Sequence, residues 1–232
     1  MKVEITTDKI PKYASGESGD SFEIVERPQG GVSAILADGQ GSGKSAKLTS
    51  NMVASKASTL IADGTRDGAV ARATHDFLFA QKRGRVSATL TLLSCDLRTN
   101  TLVISRNTNC PTIVKRAEKT QILKESVKPI GFHNFVKPTI DEIPIQPGTI
   151  VIAFTDGIYH SGRKFNNQIT LEEIANVAST HQYITDISRE ILNLGLSKDK
   201  NRPQDDMSVL VLGIFSDESK HKPRSVRVSY SY

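Results

Sequence analysis

The sequence predicts a layered α+β domain built from antiparallel strands and helix pairs. Three observations carry that reading. Strand-like segments come in groups rather than alternating singly with helices, and helical periodicity appears twice, each time as two consecutive segments. The connections between the middle strands are also too short to hold crossover helices.

Residues 21–27 (SFEIVER) and 32–37 (VSAILA) flank the turn signal PQGG and read as a hairpin. If that turn sets Arg27 opposite Val32, Asp20 falls opposite Gly39 and beside Asp38. Segment 44–63 follows, with Leu48, Met52, Leu60 and several small residues at helical spacing, and Gly64 suits its end. Segment 66–81 gathers Val70, Ala73, Phe77 and Ala80 on one helical face. The pattern then changes to period two. Segments 86–95, 101–105 and 111–115 read as an antiparallel meander, with residues 98–100 as one turn. After a polar stretch, the apolar strand 148–154 runs into Thr155-Asp156-Gly157. Helices are predicted over 171–179 and 184–196, the first opened by Thr170 and Glu173 as a capping box. Residues 207–215 form the last core strand. With no internal repeat and no linker, the reading is one domain over residues 1–215. A basic tail, 216–232, follows, in which Val226, Val228, Tyr230 and Tyr232 alternate as an edge strand would.

Composition narrows the function classes. Hydrophobic residues are 38%, charged residues 24%, and Trp is absent, as in ordinary globular proteins. The first ten residues carry no apolar leader and no run nears the ~18 apolar residues of a membrane span, so a cytoplasmic protein is expected. The net charge of +5 is spread along the chain. With 6% aromatics and no RNP, zinc-finger or helix-turn-helix pattern, it argues for an acidic or phosphorylated protein partner over nucleic acid. Cys95 and Cys110 lie outside any CxxC or C-x5-R context and read as small core residues.

The stretch ADGQGSGKSA at 37–46 has two physical readings. A phosphate-binding loop would need its first glycine at position 38, where an aspartate stands and would repel the phosphates. The antiparallel middle of the chain also lacks the βαβ winding of such nucleotide hydrolases. The other reading takes the acids themselves. Asp20 and Asp38 sit at the open end of the hairpin, Asp156 at the exit of one strand, and Asp205 and Asp206 at the entry of another. Carboxylates gathered this way repel unless cations intervene. Hard divalent ions take such oxygen ligands, and a pair of them can activate water for in-line attack on phosphorus.

The motifs SGDSFEI, LADGQGSG, PGTIVIAFTDGI and PQDDMSVLVL, in that order, resemble the metal-dependent serine/threonine phosphatases of the protein phosphatase 2C (PP2C) type. The chain is most similar to their SpoIIE-like bacterial branch, which includes stressosome phosphatases. The resemblance spans about residues 15–215 and implies a four-layer αββα sandwich, two antiparallel sheets flanked by helix pairs. It implies that Asp38 bridges two Mn²⁺ or Mg²⁺ ions and that the Gly39 carbonyl serves one of them. Asp156 and Asp205 would complete the other site, and Asp20 would act directly or through water. Asp38 and Asp156 are thereby the expected catalytic residues, and a hydroxide between the ions would attack phosphorus in line without a phosphoenzyme. Asp206 stands where many relatives carry asparagine and is expected to support the ligands. The chain departs from the pattern at Gln40, where many members have a histidine, and it shows no recognisable N-terminal phosphate-binding arginine. His160 and His75 are expected to be structural. The substrate that the resemblance implies is a phosphorylated regulatory protein of STAS type in a partner-switching or stressosome pathway. A relative that binds a phosphoprotein without hydrolysing it is the other reading.

Overall fold

The computed structural model describes residues 1–117, 119–219 and 223–229. One five-stranded sheet has the order β1 (Lys2–Ile10), β10 (Met207–Phe215), β9 (Thr149–Phe154), β6 (Thr112–Arg116), β7 (Lys119–Leu123). The other runs β2 (Asp20–Glu26), β3 (Gly31–Gly39), β4 (Ala88–Asp96), β5 (Thr101–Asn107), β8 (Thr139–Pro144). Helices α1 (Gly43–Ala62) and α2 (Asp67–Lys82) cover the second sheet. The first is covered by α4 (Leu171–Thr180) and α5 (Ile184–Lys198), while the single-turn α3 (Asp156–Tyr159) follows β9.

Alternation along the strands builds three apolar layers. In β3, Ala34 and Leu36 face the other sheet while Ile35 and Ala37 face α1 and α2; in β10, Leu210 and Leu212 face inward while Val209 and Val211 face α4 and α5. Strands buried on both faces read as continuous apolar runs, which is why MSVLVLGIF and GTIVIAF stand out in the sequence. The four-layer αββα sandwich is the observed fold. Every strand pair is antiparallel, which removes the phosphate-loop reading.

Several local expectations need correction. The hairpin closes one residue tighter than PQGG suggested. Arg27 N–H donates to the Gly31 carbonyl (3.0 Å), and Gly30 and Gly31 both take positive φ. Asp20 therefore lies opposite Asp38, and Gly39 has no partner in β2. The three-strand meander is also divided. β4 and β5 pair, but β6 crosses to the other sheet and lies between β7 and β9, after a turn in which Thr108 Oγ1 accepts from Cys110 N–H and Pro111 has no N–H to give. Strands β1, β7 and β8 arise in segments read as polar or passed over; all three are sheet edges, where half-exposed sequences lack an apolar run.

The helix faces are rotated from those expected. α1 buries Ala46, Thr49, Ser50, Val53, Ala54, Ala57 and Ile61 and leaves Leu48 exposed. Small side chains let this helix lie close on β2 and β3. In α2, Val70 is buried, whereas Ala80 is exposed and Leu78 takes the inward position. Val226 and Val228 are exposed and lie outside any strand; Tyr230 and Tyr232 lie outside the described residues. The Thr170–Glu173 capping box forms as expected.

A candidate metal centre at one end of the sandwich

Register decides where the acids meet. Asp38 follows Leu36 by two residues and so shares its inter-sheet face, and Asp20 is its cross-strand partner. From the other sheet, β9 ends at Phe154, opposite Val209, and pairing continues as Thr155 N–H donates to the Ser208 carbonyl (3.0 Å). Thr155 shares the inter-sheet face of Ala153, and Asp156 follows it as the first residue of α3. Thr155 Oγ1 links the sheets by donating to Asp20 Oδ2 (3.0 Å) and accepting from Ser208 N–H (3.0 Å).

The two glycines after the acids permit close approach. A Cβ on Gly39 would stand 2.2 Å from the Ala46 carbonyl oxygen, and one on Gly157 would stand 2.1 Å from the Asp206 carbonyl oxygen. The Asp-Gly pairs thus carry a side chain for the site and a bare Cα for packing. Gly41 and Gly43, with positive φ and open space around them, turn the chain into α1, and Lys44 is exposed on that helix.

Asp20, Asp38, Asp156 and Asp205 come together electrostatically. Burial first, then the Asp20, Asp156 and Asp205 charges, hold the Asp38 carboxyl well above the usual carboxylate range. Burial raises Asp20 to about 7, opposed by the hydrogen bond from the Thr155 hydroxyl. Burial also raises Asp156, opposed by His160, and it raises Asp205, reinforced by Asp156. Two lysines that the sequence reading passed over counter this charge: Lys9 Nζ and Lys47 Nζ both donate to the Asp20 carbonyl, at 3.1 and 2.9 Å. Burial and the neighbouring Lys47 lower the Lys9 ammonium to about 8.

Among the described residues, no three Asp, Glu, His or Cys side chains already stand as a finished metal cage. The fit to divalent cations rests on a different observation. Asp20 is 1% exposed, and its Oδ1 has no hydrogen-bond partner. A buried, unpartnered carboxylate oxygen beside three further acids is costly in protein alone and is matched by a hard cation. The donor set of carboxylate oxygens and backbone carbonyls suits Mg²⁺ or Mn²⁺ rather than a soft metal.

Asp206 does something else. Its Oδ1 accepts from Lys12 N–H (2.9 Å) and its Oδ2 from Gly19 N–H (2.8 Å), so it clamps the loop that leads into Asp20. Asp205 remains at the cavity wall. Gln40 Oε1 accepts from Ser87 N–H (3.0 Å) and is committed to that loop. His75 Nδ1 accepts from Gly131 N–H (3.0 Å), a packing role. Burial pushes the Cys95 thiol up to about 12 and raises Cys110 as well, so neither is a nucleophile. Asp199 escaped notice in the sequence because nothing near it repeats a motif. It is buried and accepts from Gly162 N–H (2.7 Å) and Gln204 N–H (2.9 Å), joining the turn after α3 to the loop carrying Asp205.

Two antiparallel sheets between helix pairs, with acids from both sheets converging at one end, define the PP2C-type phosphatase fold. A family model for Stage II sporulation protein E (SpoIIE) matches residues 28–215, and the chain belongs to that family. It is 22% identical over 200 residues to Stage II sporulation protein E of Bacillus subtilis, covering 85% of this chain and 24% of that protein. The chain thus spans about a quarter of the length of the curated relatives it matches. The PP2C phosphatase domain of SpoIIE from B. subtilis superposes with a TM-score of 0.80 at 20% identity, over 92% of this chain and 64% of that one. The serine/threonine phosphatase Stp1 from Staphylococcus aureus gives 0.77 at 12% identity, over 93% and 96%.

Proposed function

We propose that this chain is a cytoplasmic phosphoserine/phosphothreonine protein phosphatase dependent on two Mn²⁺ or Mg²⁺ ions. The observation that carries the reading is the buried, unpartnered Asp20 Oδ1 among carboxyls whose proton affinities are raised by burial and mutual repulsion. Membership of the SpoIIE family supports it. Asp38, reaching in from β3, and Asp156, at the start of α3, would hold the ions, with Asp205, Asp20 and the Gly39 carbonyl completing the oxygen set. When bound, the ions would supply charge neutralisation at the phosphoryl oxygens and activate water. Thr155 keeps Asp20 oriented, and Asp206 holds the loop that presents it.

The substrate in this reading is a phosphorylated regulatory protein, of STAS type in a partner-switching or stressosome pathway. Hydrolysis of p-nitrophenyl phosphate, with added Mn²⁺ and with EDTA, tests the chemistry. Turnover is expected only with the metal. Undiminished turnover after thorough chelation would overturn the metal-dependent reading. Metal binding with no turnover on this or any phosphoserine peptide would favour a phosphoprotein-binding relative.

A further inference from the structure

Beside the acids lies a cavity of about 510 Å³, within the range of small-ligand sites. Asp156 and Asp205 form one wall. Basic residues from α3's end and the turn that follows it line the same cavity: His160, Arg163 and Lys164. That turn is rigidly built. Gly162, at positive φ, donates to Asp199 and accepts from Asn167 N–H (3.0 Å), and a Cβ there would strike the Asn167 carbonyl oxygen at 2.0 Å. Phe165, which closes the turn, lies under the Lys200 ammonium, 4.5 Å from the ring centroid.

These cations differ in how far they are occupied. Lys164 Nζ donates to Gln204 Oε1 (3.2 Å). Among the described residues the Arg163 guanidinium makes neither a salt bridge nor a hydrogen bond. The nearest lining carboxylate outside the metal centre, Asp199, is already engaged by two backbone N–H groups. An exposed, unengaged guanidinium on a well-anchored turn, lining one cavity with two carboxylates of the metal centre, is arranged for an anion bound in that cavity. Its planar fork matches two oxygens of one phosphate.

Resting on the phosphatase reading above, we propose that Arg163 is the phosphate-binding residue of this site. It holds the substrate phosphoryl group in the cavity that Asp156 and Asp205 also line, with Lys164 adding charge there. This assigns the clamp to the turn after α3.

The test compares wild type, Arg163→Ala, Arg163→Lys and Arg98→Ala. Arg98 lies in the β4–β5 turn, at the opposite end of the sheet from Gly39. Four quantities are measured: KM and kcat for p-nitrophenyl phosphate at saturating Mn²⁺, inhibition by inorganic phosphate, and Mn²⁺ affinity by calorimetry. Arg163→Ala is expected to raise both KM and the phosphate inhibition constant about tenfold or more, with Mn²⁺ affinity unchanged. Arg163→Lys should recover part of the loss, and Arg98→Ala should match wild type. Unchanged KM and phosphate inhibition in an active Arg163→Ala enzyme would overturn the proposal and leave the phosphatase reading standing. So would a loss of phosphate binding accompanied by an equal loss of Mn²⁺ binding. If the wild type proves inactive, the phosphatase reading fails. Calorimetry of inorganic phosphate with Mn²⁺ still decides this one, since equal affinity in wild type and Arg163→Ala would reject it.

Discussion

Asp206 spends both carboxylate oxygens on backbone N–H groups, while Asp205, one residue earlier, leaves its charge at the cavity wall among other acids. Their substitutions should therefore move stability in opposite directions. Asp206→Asn sets an amide NH₂ against a backbone N–H and is expected to cost about 1–3 kcal/mol. Asp205→Asn relieves repulsion and should leave the metal-free protein as stable or more so at pH 8, while weakening Mn²⁺ binding about tenfold or more. Thermal melts and metal titrations of the two variants check this; greater loss of Mn²⁺ affinity in Asp206→Asn would reverse the assignment. At the opening loop, Asp38→Asn should abolish turnover, whereas Lys44→Ala, on an exposed helical residue, should keep most of it. The acids were legible in the sequence because each sits at a strand end beside a glycine or in a pair. Thr155, Asp199, Lys9 and Lys47 were not, because their roles depend on contacts between segments far apart in the chain.

Among the elements, the join between β3 and α1 leaves no room for a side chain at Gly39. Gly39→Ala would drive a methyl group to 2.2 Å from the Ala46 carbonyl oxygen, and neither backbone can give way without moving Asp38. The expected result is a loss of about 1–3 kcal/mol in stability together with weakened Mn²⁺ binding. A fully stable, metal-binding Gly39→Ala protein would show that the loop yields more readily than the packing implies. The same join explains one misreading. The sequence suggested that Leu48 and Met52 face the core; Met52 packs at its margin, but Ala46, Thr49, Ser50 and Val53 take the inward face and turn Leu48 outward. The hairpin register slipped by one for a comparable reason, since two consecutive glycines at positive φ close a shorter loop than composition reveals. Central strands were recognised from their apolar runs, whereas the edges β1, β7 and β8 look like loops until they are seen paired.

For the molecule as a whole, the buried acids couple folding to pH and to metal. Asp20, at about 7 in the folded chain against an ordinary 3.8, holds its proton more tightly when folded than when unfolded. Its contribution to stability is complete below the ordinary value and is lost as pH rises through about 7. Metal-free protein should thus lose part of its thermal stability between pH 5.5 and pH 8, and Asp20→Asn should flatten that dependence. Added Mn²⁺ should raise the melting temperature more at pH 8 than at pH 5.5, because the ions compete with protons for the same oxygens. Identical pH slopes in wild type and Asp20→Asn would separate the effect from this carboxyl.

The pairing of β1 with β10, with Lys2 opposite Phe215, also governs when a newly made chain can act. The loop presenting Asp20 is clamped by Asp206, 187 residues downstream of Gly19, so the first half of the site waits for the end of the domain to be synthesised. While the ribosome is still adding β10, the hairpin bearing Asp20 and Asp38 lacks both its clamp and the opposing sheet edge. Nascent chains halted before residue 205 should neither bind Mn²⁺ tightly nor hydrolyse phosphate esters. The two halves of the site therefore meet only once β10 has docked between β1 and β9.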